Sequence, residues 1–131
     1  MGTKILTVDD NSEIREAVIE VLSSDYEVLT AENGEQALEI LTLNEIDLVI
    51  LDVDMPITNG WETLRIIRDE DGWPHVHVIM LTVYNHVEEA LKAWDIGATL
   101  YMTKPFSPNL LRELVDKILG NGQHPYQERV V

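Results

Sequence analysis

Short apolar runs rich in strand-forming residues alternate five times with longer stretches in which apolar residues recur at helical spacing. The five strand-like runs are KILTVDD, YEVLTA, IDLVILD, HVHVIMLT and TLYMT. Strands that alternate with helices usually form a parallel sheet with helices on both faces. The alternation therefore predicts an α/β domain with a doubly wound, five-stranded parallel sheet. The most apolar run, IDLVILD, suits its central strand.

The 131 residues are enough for one domain with a substantial core. We assign residues 1–120 to this domain. Residues 121–131 lack apolar periodicity and are predicted to be a flexible tail or the start of a linker. Ser107 and Pro108 are suited to begin the last helix. Its predicted apolar stripe comprises Leu110, Leu111, Leu114, Val115, Ile118 and Leu119.

The chain is strongly acidic, with 24 Asp and Glu against nine Lys and Arg and a formal net charge of −15. Because this charge repels phosphate backbones, the composition argues against direct binding to nucleic acid. No apolar segment approaches the ~20 residues that span a bilayer, so we expect no membrane association and a cytoplasmic location. Cysteine is absent, which excludes thiol catalysis and cysteine-ligated metals.

Polar and charged residues stand at the ends of four of the predicted strands. The first strand ends in Asp9 and Asp10, the third in Asp52, the fourth in Thr82 and the fifth in Lys104. Ligands of open α/β sheets bind beyond the carboxyl ends of the strands. If the strand order is 2-1-3-4-5, these four strands are adjacent and the five side chains converge on one crevice.

These motifs, in this order, resemble the receiver domain of two-component response regulators. The resemblance extends over residues 4–119 and rests on DD after the first strand, LDVDMPITNG after the third, a Thr closing the fourth and YMTKPF at the end of the fifth. It implies a flavodoxin-like (βα)5 fold. It also implies a domain that accepts a phosphoryl group from a sensor histidine kinase or a phosphotransfer protein, and that is not otherwise an enzyme.

The resemblance assigns a role to each residue of the crevice. Asp52 is the expected phosphoacceptor, and Asp10 and Asp52 are expected to bind Mg²⁺ with the backbone carbonyl of Asp54. Asp9 is expected to act on the metal through water. Lys104 would neutralise charge on the phosphoryl oxygens. Mg²⁺ also suits three mutually repelling carboxylates on general chemical grounds.

The resemblance further implies a switch in which the Thr82 hydroxyl moves toward the phosphoryl group and Tyr101 turns inward. The fourth helix, fifth strand and fifth helix would then signal to a downstream partner or to an effector domain outside this sequence. Pro105 is a candidate cis proline. Backbone amides at Val53 or Val83 are candidate donors to the phosphoryl group.

Some positions depart from the common family pattern or vary within it. Val83 stands where the family often has a very small residue. Asp54 and Tyr84 occupy two variable positions that, in the family, tune how fast water removes the phosphoryl group. The sequence does not show whether they speed or slow this hydrolysis. Receivers that dimerise through the fourth helix, fifth strand and fifth helix often carry an acidic pair just before the switch aromatic. Here those positions are Thr99 and Leu100, which argues against that dimer. The resemblance implies that the kinase docks on the first helix, around Ile14, Arg15 and Val18, together with the loop after Lys104.

Two alternative functions remain open at this point. The motif DVD at residues 52–54 also resembles the catalytic pair of haloacid-dehalogenase phosphatases, although that family carries it on the first strand. A receiver fold that serves as an unphosphorylated interaction module is the other alternative. A calcium loop starting at Asp52 is disfavoured because its sixth position, Ile57, should be glycine.

Overall fold

A computed structural model describes residues 2–120, in which five strands alternate strictly with five helices. The elements are β1 (Lys4–Val8), α1 (Ser12–Leu22), β2 (Glu27–Ala31), α2 (Gly34–Leu43), β3 (Leu48–Leu51), α3 (Gly60–Arg68), β4 (His77–Thr82), α4 (Val87–Ile96), β5 (Leu100–Thr103) and α5 (Pro108–Ile118). The predicted alternation is confirmed, although β3 and β4 each begin two residues later than predicted. The tail assigned to residues 121–131 lies outside the described residues.

The five strands form one sheet in the order β2-β1-β3-β4-β5, and every neighbouring pair is parallel. The predicted order is confirmed. All four residues of β3 are buried, as expected for a strand covered on both faces. The carboxyl ends of β1, β3, β4 and β5 therefore lie side by side along one edge of the sheet.

Two apolar clusters cover the sheet. One contains residues of α2, α3 and α4, such as Leu41, Leu64 and Ala93, and the other joins α1 to α5 through residues such as Val18 and Leu111. The prediction that Leu110 belongs to the buried stripe is wrong, since this residue is 45% exposed. Successive helical residues are rotated by about 100°, so Leu110 falls outside the face that buries Leu111.

The start of α3 packs closely against the end of β3. Asn59 caps α3 by accepting a hydrogen bond from the backbone N–H of Glu62 at 3.0 Å. The next residue, Gly60, donates its N–H to the carbonyl of Val53 at 2.8 Å. A Cβ atom at Gly60 would lie 2.1 Å from the carbonyl oxygen of Asp52. Only glycine therefore fits this approach, which fixes the backbone that carries Asp52.

None of the helices within residues 2–120 is long and apolar enough to cross a bilayer.

Candidate functional site

The structure brings the predicted crevice residues together at one edge of the sheet. Asp9 and Asp10 follow β1, Asp52 follows β3, Thr82 ends β4 and Lys104 follows β5. One carboxylate oxygen from each of the three aspartates lies within 4.8 Å of the others. Parallel pairing produces this convergence, because neighbouring strands end at the same edge of the sheet.

Lys104 pairs with two of the three carboxylates. Its Nζ atom lies 2.7 Å from Oδ2 of Asp9 and 3.6 Å from Oδ2 of Asp52. The lysine side chain is 12% exposed, and those of Asp9 and Asp52 are 3% and 6% exposed. Without the lysine, the two buried carboxylates would be left as poorly solvated negative charges. Lys104 therefore stabilises both acids by compensating part of their charge.

The adjacent aspartates Asp9 and Asp10 have different environments. Asp9 is buried, and its carboxylate accepts hydrogen bonds from Lys104 and, at 3.0 Å, from the backbone N–H of Asn11. Its carbonyl accepts a hydrogen bond from Arg15 at 2.7 Å. Asp10 is exposed. Asp9 is thus tied to the protein on several sides, whereas Asp10 is accessible from solvent.

Burial raises the pKa of the Asp52 carboxyl from 3.8 to about 6, and repulsion from Asp9 adds to the increase. Lys104 and hydrogen bonds from the backbone amides of Asp54 and Val53 oppose this shift. The pKa remains high because the single lysine does not offset both burial and the neighbouring carboxylate. A divalent cation would relieve this imbalance.

The donor set fits Mg²⁺. The three converging groups are all carboxylates, and Mg²⁺ prefers hard oxygen ligands and retains several waters. Two of the aspartates are buried and one is exposed, so a cation would be held by protein on one side and reached from solvent on the other.

The buried residue Thr82 is connected to Tyr101 through the backbone of Tyr84. The N–H of Tyr84 donates to Oγ1 of Thr82 at 3.4 Å, and the hydroxyl of Tyr101 donates to the carbonyl of Tyr84 at 2.7 Å. Tyr101 is half-buried, and burial is the main cause that raises its pKa to about 12. Two hydrogen bonds through Tyr84 therefore connect Thr82 to Tyr101.

The remaining predicted residues lie around the mouth of the crevice. Asp54 is exposed, and its carboxylate raises the pKa of the Tyr84 hydroxyl by electrostatic repulsion of the phenolate and by a hydrogen bond. Val83 is 61% exposed, so its side chain is not part of the core. The peptide bond between Lys104 and Pro105 is cis.

One of the three docking residues suggested by the sequence is misplaced. Val18 is fully buried between α1 and the sheet and is not available to a partner, because it belongs to the apolar face of the helix. Ile14 and Arg15 are half-buried, and Arg15 is partly engaged in the hydrogen bond to the carbonyl of Asp9.

Two contributors to the site were missed by the sequence analysis. Gly60 allows α3 to approach the backbone of Asp52, and Asn11 donates its N–H to Asp9. The Asn-Gly pair at residues 59–60, directly before an amphipathic stretch, is a signal that would have indicated the first of these. Asn11 makes its contact through the backbone N–H, which almost any residue could supply, so the residue type gives no signal of it.

The fold and the crevice define a class of protein: a doubly wound α/β domain with an acidic, lysine-containing site at the carboxyl edge of its sheet. The sequence profile of the response regulator receiver domain matches residues 5–116. The chain belongs to this family, whose members are signalling domains of two-component systems. This membership replaces the haloacid-dehalogenase alternative.

Individual relatives support the same assignment. The chain is 35% identical over 122 residues to a chemotaxis protein CheY homolog of Campylobacter jejuni, covering 91% of this chain and 94% of the relative. It is 39% identical over 123 residues to the probable transcriptional regulator ycf27 of Cyanophora paradoxa, covering 93% of this chain but only 50% of the relative. The structure resembles that of the chemotaxis protein CheY4 of Vibrio cholerae, with a TM-score of 0.83, 32% identity and coverage of 90% of this chain and 99% of the other.

Proposed function

We propose that Asp52 accepts a phosphoryl group from a phosphohistidine on a sensor histidine kinase or a phosphotransfer protein. The observation that carries this proposal is the position of the Asp52 carboxylate, buried 3.6 Å from the ammonium of Lys104 and beside the carboxylates of Asp9 and Asp10. The crevice thus combines a nucleophilic oxygen, an ammonium that can neutralise the charge of the incoming phosphoryl group, and carboxylate ligands for a metal ion.

The proposed step exchanges one bond to phosphorus for another. A carboxylate oxygen of Asp52 bonds to phosphorus while the bond from phosphorus to the imidazole nitrogen breaks. The imidazole keeps the electron pair of that bond and takes up a proton, and the product is an aspartyl phosphate. Lys104, which bridges Asp9 and Asp52, turns its ammonium toward the new phosphoryl oxygens.

In this proposal Asp10, Asp52 and the backbone carbonyl of Asp54 hold Mg²⁺, and Asp9 contributes through water. The hydrogen bonds that Asp9 already accepts from Lys104 and Asn11 support its indirect role. When bound, Mg²⁺ supplies positive charge that neutralises the phosphoryl oxygens.

The hydroxyl of Thr82 is proposed to donate to the phosphoryl group, with the backbone amides of Val53 or Val83 as further donors. The contacts of Tyr84 with Thr82 and Tyr101 support a route to the surface formed by α4, β5 and α5. That surface would signal to a downstream protein or to an effector domain. Asp54, Tyr84 and Val83, at the mouth of the crevice, are the proposed determinants of how long the phosphoryl group survives.

A groove of about 330 Å³ between α1 and the start of α5 is the proposed kinase docking site. Its apolar lining includes Ala17, Val21, Phe106 and Pro108. Its lining belongs to α1, which follows Asp9 in the chain, and to the segment from Phe106 into α5, which follows Lys104. We assign the receiver domain to residues 1–120 and, because receiver domains are generally cytoplasmic, place it in the cytoplasm.

Phosphorylation can be tested without the kinase. The full chain is incubated with acetyl phosphate and either Mg²⁺ or EDTA, and the intact mass is measured. We expect one phosphoryl group per chain with Mg²⁺ and at least about tenfold slower labelling with EDTA. Asp52→Asn should abolish the adduct, while the matched variant Asp54→Asn, two residues away and exposed, should retain it.

The absence of an adduct on the wild-type chain would favour the unphosphorylated interaction module. An adduct that persists in Asp52→Asn would place the phosphoacceptor elsewhere.

A further inference from the structure

The C-terminal end of α4 is firmly attached to the rest of the domain. Gly97 ends the helix with a φ of 121°, and the backbone N–H groups of Gly97 and Ala98 both donate to the carbonyl of Ala93, at 2.9 and 2.8 Å. Thr99 then donates its N–H to Val78 of β4 at 2.7 Å, and its hydroxyl oxygen accepts the N–H of Val78 at 3.1 Å. Backbone and side chain therefore fix this end to the sheet.

Arg68, the last residue of α3, reinforces this attachment. Its Nε atom donates to the carbonyl of Gly97 at 2.7 Å, and its Nη1 atom donates to the carbonyl of Val76 at 2.6 Å. The side chain packs so closely that a Cβ atom at Gly97 would lie 3.1 Å from three of its atoms. Since hydrogen bonds from a guanidinium are charge-assisted, this residue links α3, the segment before β4 and the end of α4 strongly.

Within residues 2–120, the N-terminal end of α4 has no comparable hydrogen bonds to other elements, and its second turn contacts α3 through Lys92, whose ammonium lies 4.5 Å from the centre of the Trp61 ring. Its N-cap, His86, makes no side-chain capping bond, whereas a side chain caps each of the other four helices within residues 2–120. Val87 and Leu91 are 71% and 51% exposed. Ala93, near the other end, is the one fully buried residue among those that form α4. Missing caps and few buried contacts are features of segments that open easily.

This loosely held end is also the one that adjoins the crevice. The loop that leads into α4 starts directly after Thr82 and contains Tyr84, whose N–H contacts the Thr82 hydroxyl oxygen and whose carbonyl accepts from Tyr101. A change in the position of Thr82 would therefore reach α4 at its end without a side-chain cap and not at the end held by Arg68.

We propose that the N-terminal part of α4 moves while its C-terminal end is held in place by the hydrogen bond from Arg68 to Gly97. We call the helix the lever and this hydrogen bond its fulcrum. This inference rests on the phosphorylation proposed above. When Thr82 shifts toward the phosphoryl group, the first two turns of α4 move and its last turn stays in place. Arg68 is thus a positioning residue, because it confines the change to the part of α4 that lies beside Tyr84 and Tyr101.

The fulcrum can be tested without phosphorylation by amide hydrogen exchange of the full chain, followed by NMR. We expect the amides of Gly97 and Ala98 to exchange at least about tenfold more slowly than those of Ala90 and Leu91. Arg68→Gln should accelerate exchange at Gly97 and Ala98 by about tenfold or more, while Arg65→Gln, an exposed arginine on the same helix, should leave it unchanged. Uniform exchange along α4, or equal effects of the two variants, would overturn the proposal.

The lever itself is tested by adding Mg²⁺ and acetyl phosphate and recording amide chemical shifts. In the wild type, changes should be confined to the first two turns of α4, and in Arg68→Gln they should extend to its last turn. An adduct with equally large changes along the whole wild-type helix would refute the lever. Failure to form any adduct would instead refute phosphorylation and leave the exchange result to judge the fulcrum.

If Arg68→Gln does not fold, Arg68→Lys provides the second variant. It keeps the charge but cannot reach both carbonyls with a planar fork. We expect faster exchange at Gly97 and Ala98 than in the wild type, and an unchanged rate would count against Arg68 as the fulcrum.

Discussion

The ammonium of Lys104 lies 2.7 Å from a carboxylate oxygen of Asp9, a residue 95 positions earlier in the chain. This contact joins the ends of β1 and β5 across the intervening β3 and β4. It holds the lysine beside the converging carboxylates, with its ammonium 3.6 Å from Asp52. The pair therefore serves both the stability of the domain and the proposed chemistry of Asp52.

Replacing Lys104 should destabilise the metal-free protein. In Lys104→Met two buried carboxylates lose their shared cation, and we expect the free energy of unfolding to fall by about 1–3 kcal/mol near neutral pH. Urea unfolding in EDTA measures this change. Lys117→Met is the control, because Lys117 pairs only at 4.0 Å with the exposed Glu113 and should change stability by about 0.5 kcal/mol or less. Equal stability of the two variants would show that the buried pair does not contribute.

Removing the charge of Asp52 should stabilise the metal-free protein, and more so at higher pH. Its pKa is about 6 in the folded state against 3.8 for an unperturbed carboxyl, so the folded state binds the proton more tightly. The stabilisation from protonation is complete below about pH 4 and is lost as the pH rises through about 6. The wild type therefore carries a destabilising carboxylate at neutral pH.

The measurement compares wild type with Asp52→Asn in urea and EDTA at about pH 7.5 and about pH 5. We expect the variant to be more stable by about 1–3 kcal/mol at the higher pH, and this advantage to shrink by about 1 kcal/mol at the lower pH. Asp54→Asn controls for the loss of one charge near the site. A stability advantage of the same size at both pH values would contradict the raised pKa of Asp52 in the folded protein.

Tyr84 should lengthen the life of the phosphoryl group by holding Asp54. The Asp54 carboxylate raises the pKa of the Tyr84 hydroxyl, chiefly by electrostatic repulsion of the phenolate, so the two groups interact at the mouth of the crevice. We expect this interaction to restrain the acid, because a free carboxylate there would help to orient an attacking water. Tyr84→Phe is expected to hydrolyse its phosphoryl group about three- to tenfold faster than the wild type. The time course of adduct loss after removal of acetyl phosphate measures the rate.

The double variant decides whether Tyr84 acts through Asp54. In an Asp54→Asn background, Tyr84→Phe should have little further effect on hydrolysis, because the carboxylate it restrained is gone. A full effect of Tyr84→Phe in that background would show that the tyrosine acts by another route.

Gly60→Ala should disrupt the end of β3. The added methyl group would lie 2.1 Å from the carbonyl oxygen of Asp52 and 2.7 Å from Cα of Val53, so the start of α3 must shift. We expect a loss of about 2 kcal/mol or more in the free energy of unfolding, together with slower phosphorylation. Gly2→Ala, with open space around the added atom, is the control. A stable and normally phosphorylated Gly60→Ala would contradict the tight approach.

The sequence predicted the fold well because its signals are local and repeated. Each strand is an apolar run, each helix has its own periodicity, and the parallel order follows from their alternation. Leu110 was misassigned because an apolar residue at the margin of a helical stripe is buried only if a neighbouring element covers it, which depends on packing.

The sequence predicted which residues lie in the site but not which of them contact each other. Asp9 and Asp10 are adjacent in sequence, and only the backbone geometry after β1 decides that the first is buried against Lys104 while the second is exposed. The roles of Arg68 and Tyr84 depend on backbone carbonyls that these residues contact or present, and carbonyls carry no sequence signal.

The most direct test of the central claim locates the phosphoryl group within the chain. The protein is phosphorylated with acetyl phosphate and Mg²⁺, and the aspartyl phosphate is reduced with borohydride, which converts the modified aspartate to homoserine. Peptide mass spectrometry then identifies the position. We predict homoserine at residue 52 and unmodified aspartate at residues 9, 10 and 54. Homoserine at any of those three positions, or at none of the four, would contradict the assignment of Asp52 as the phosphoacceptor.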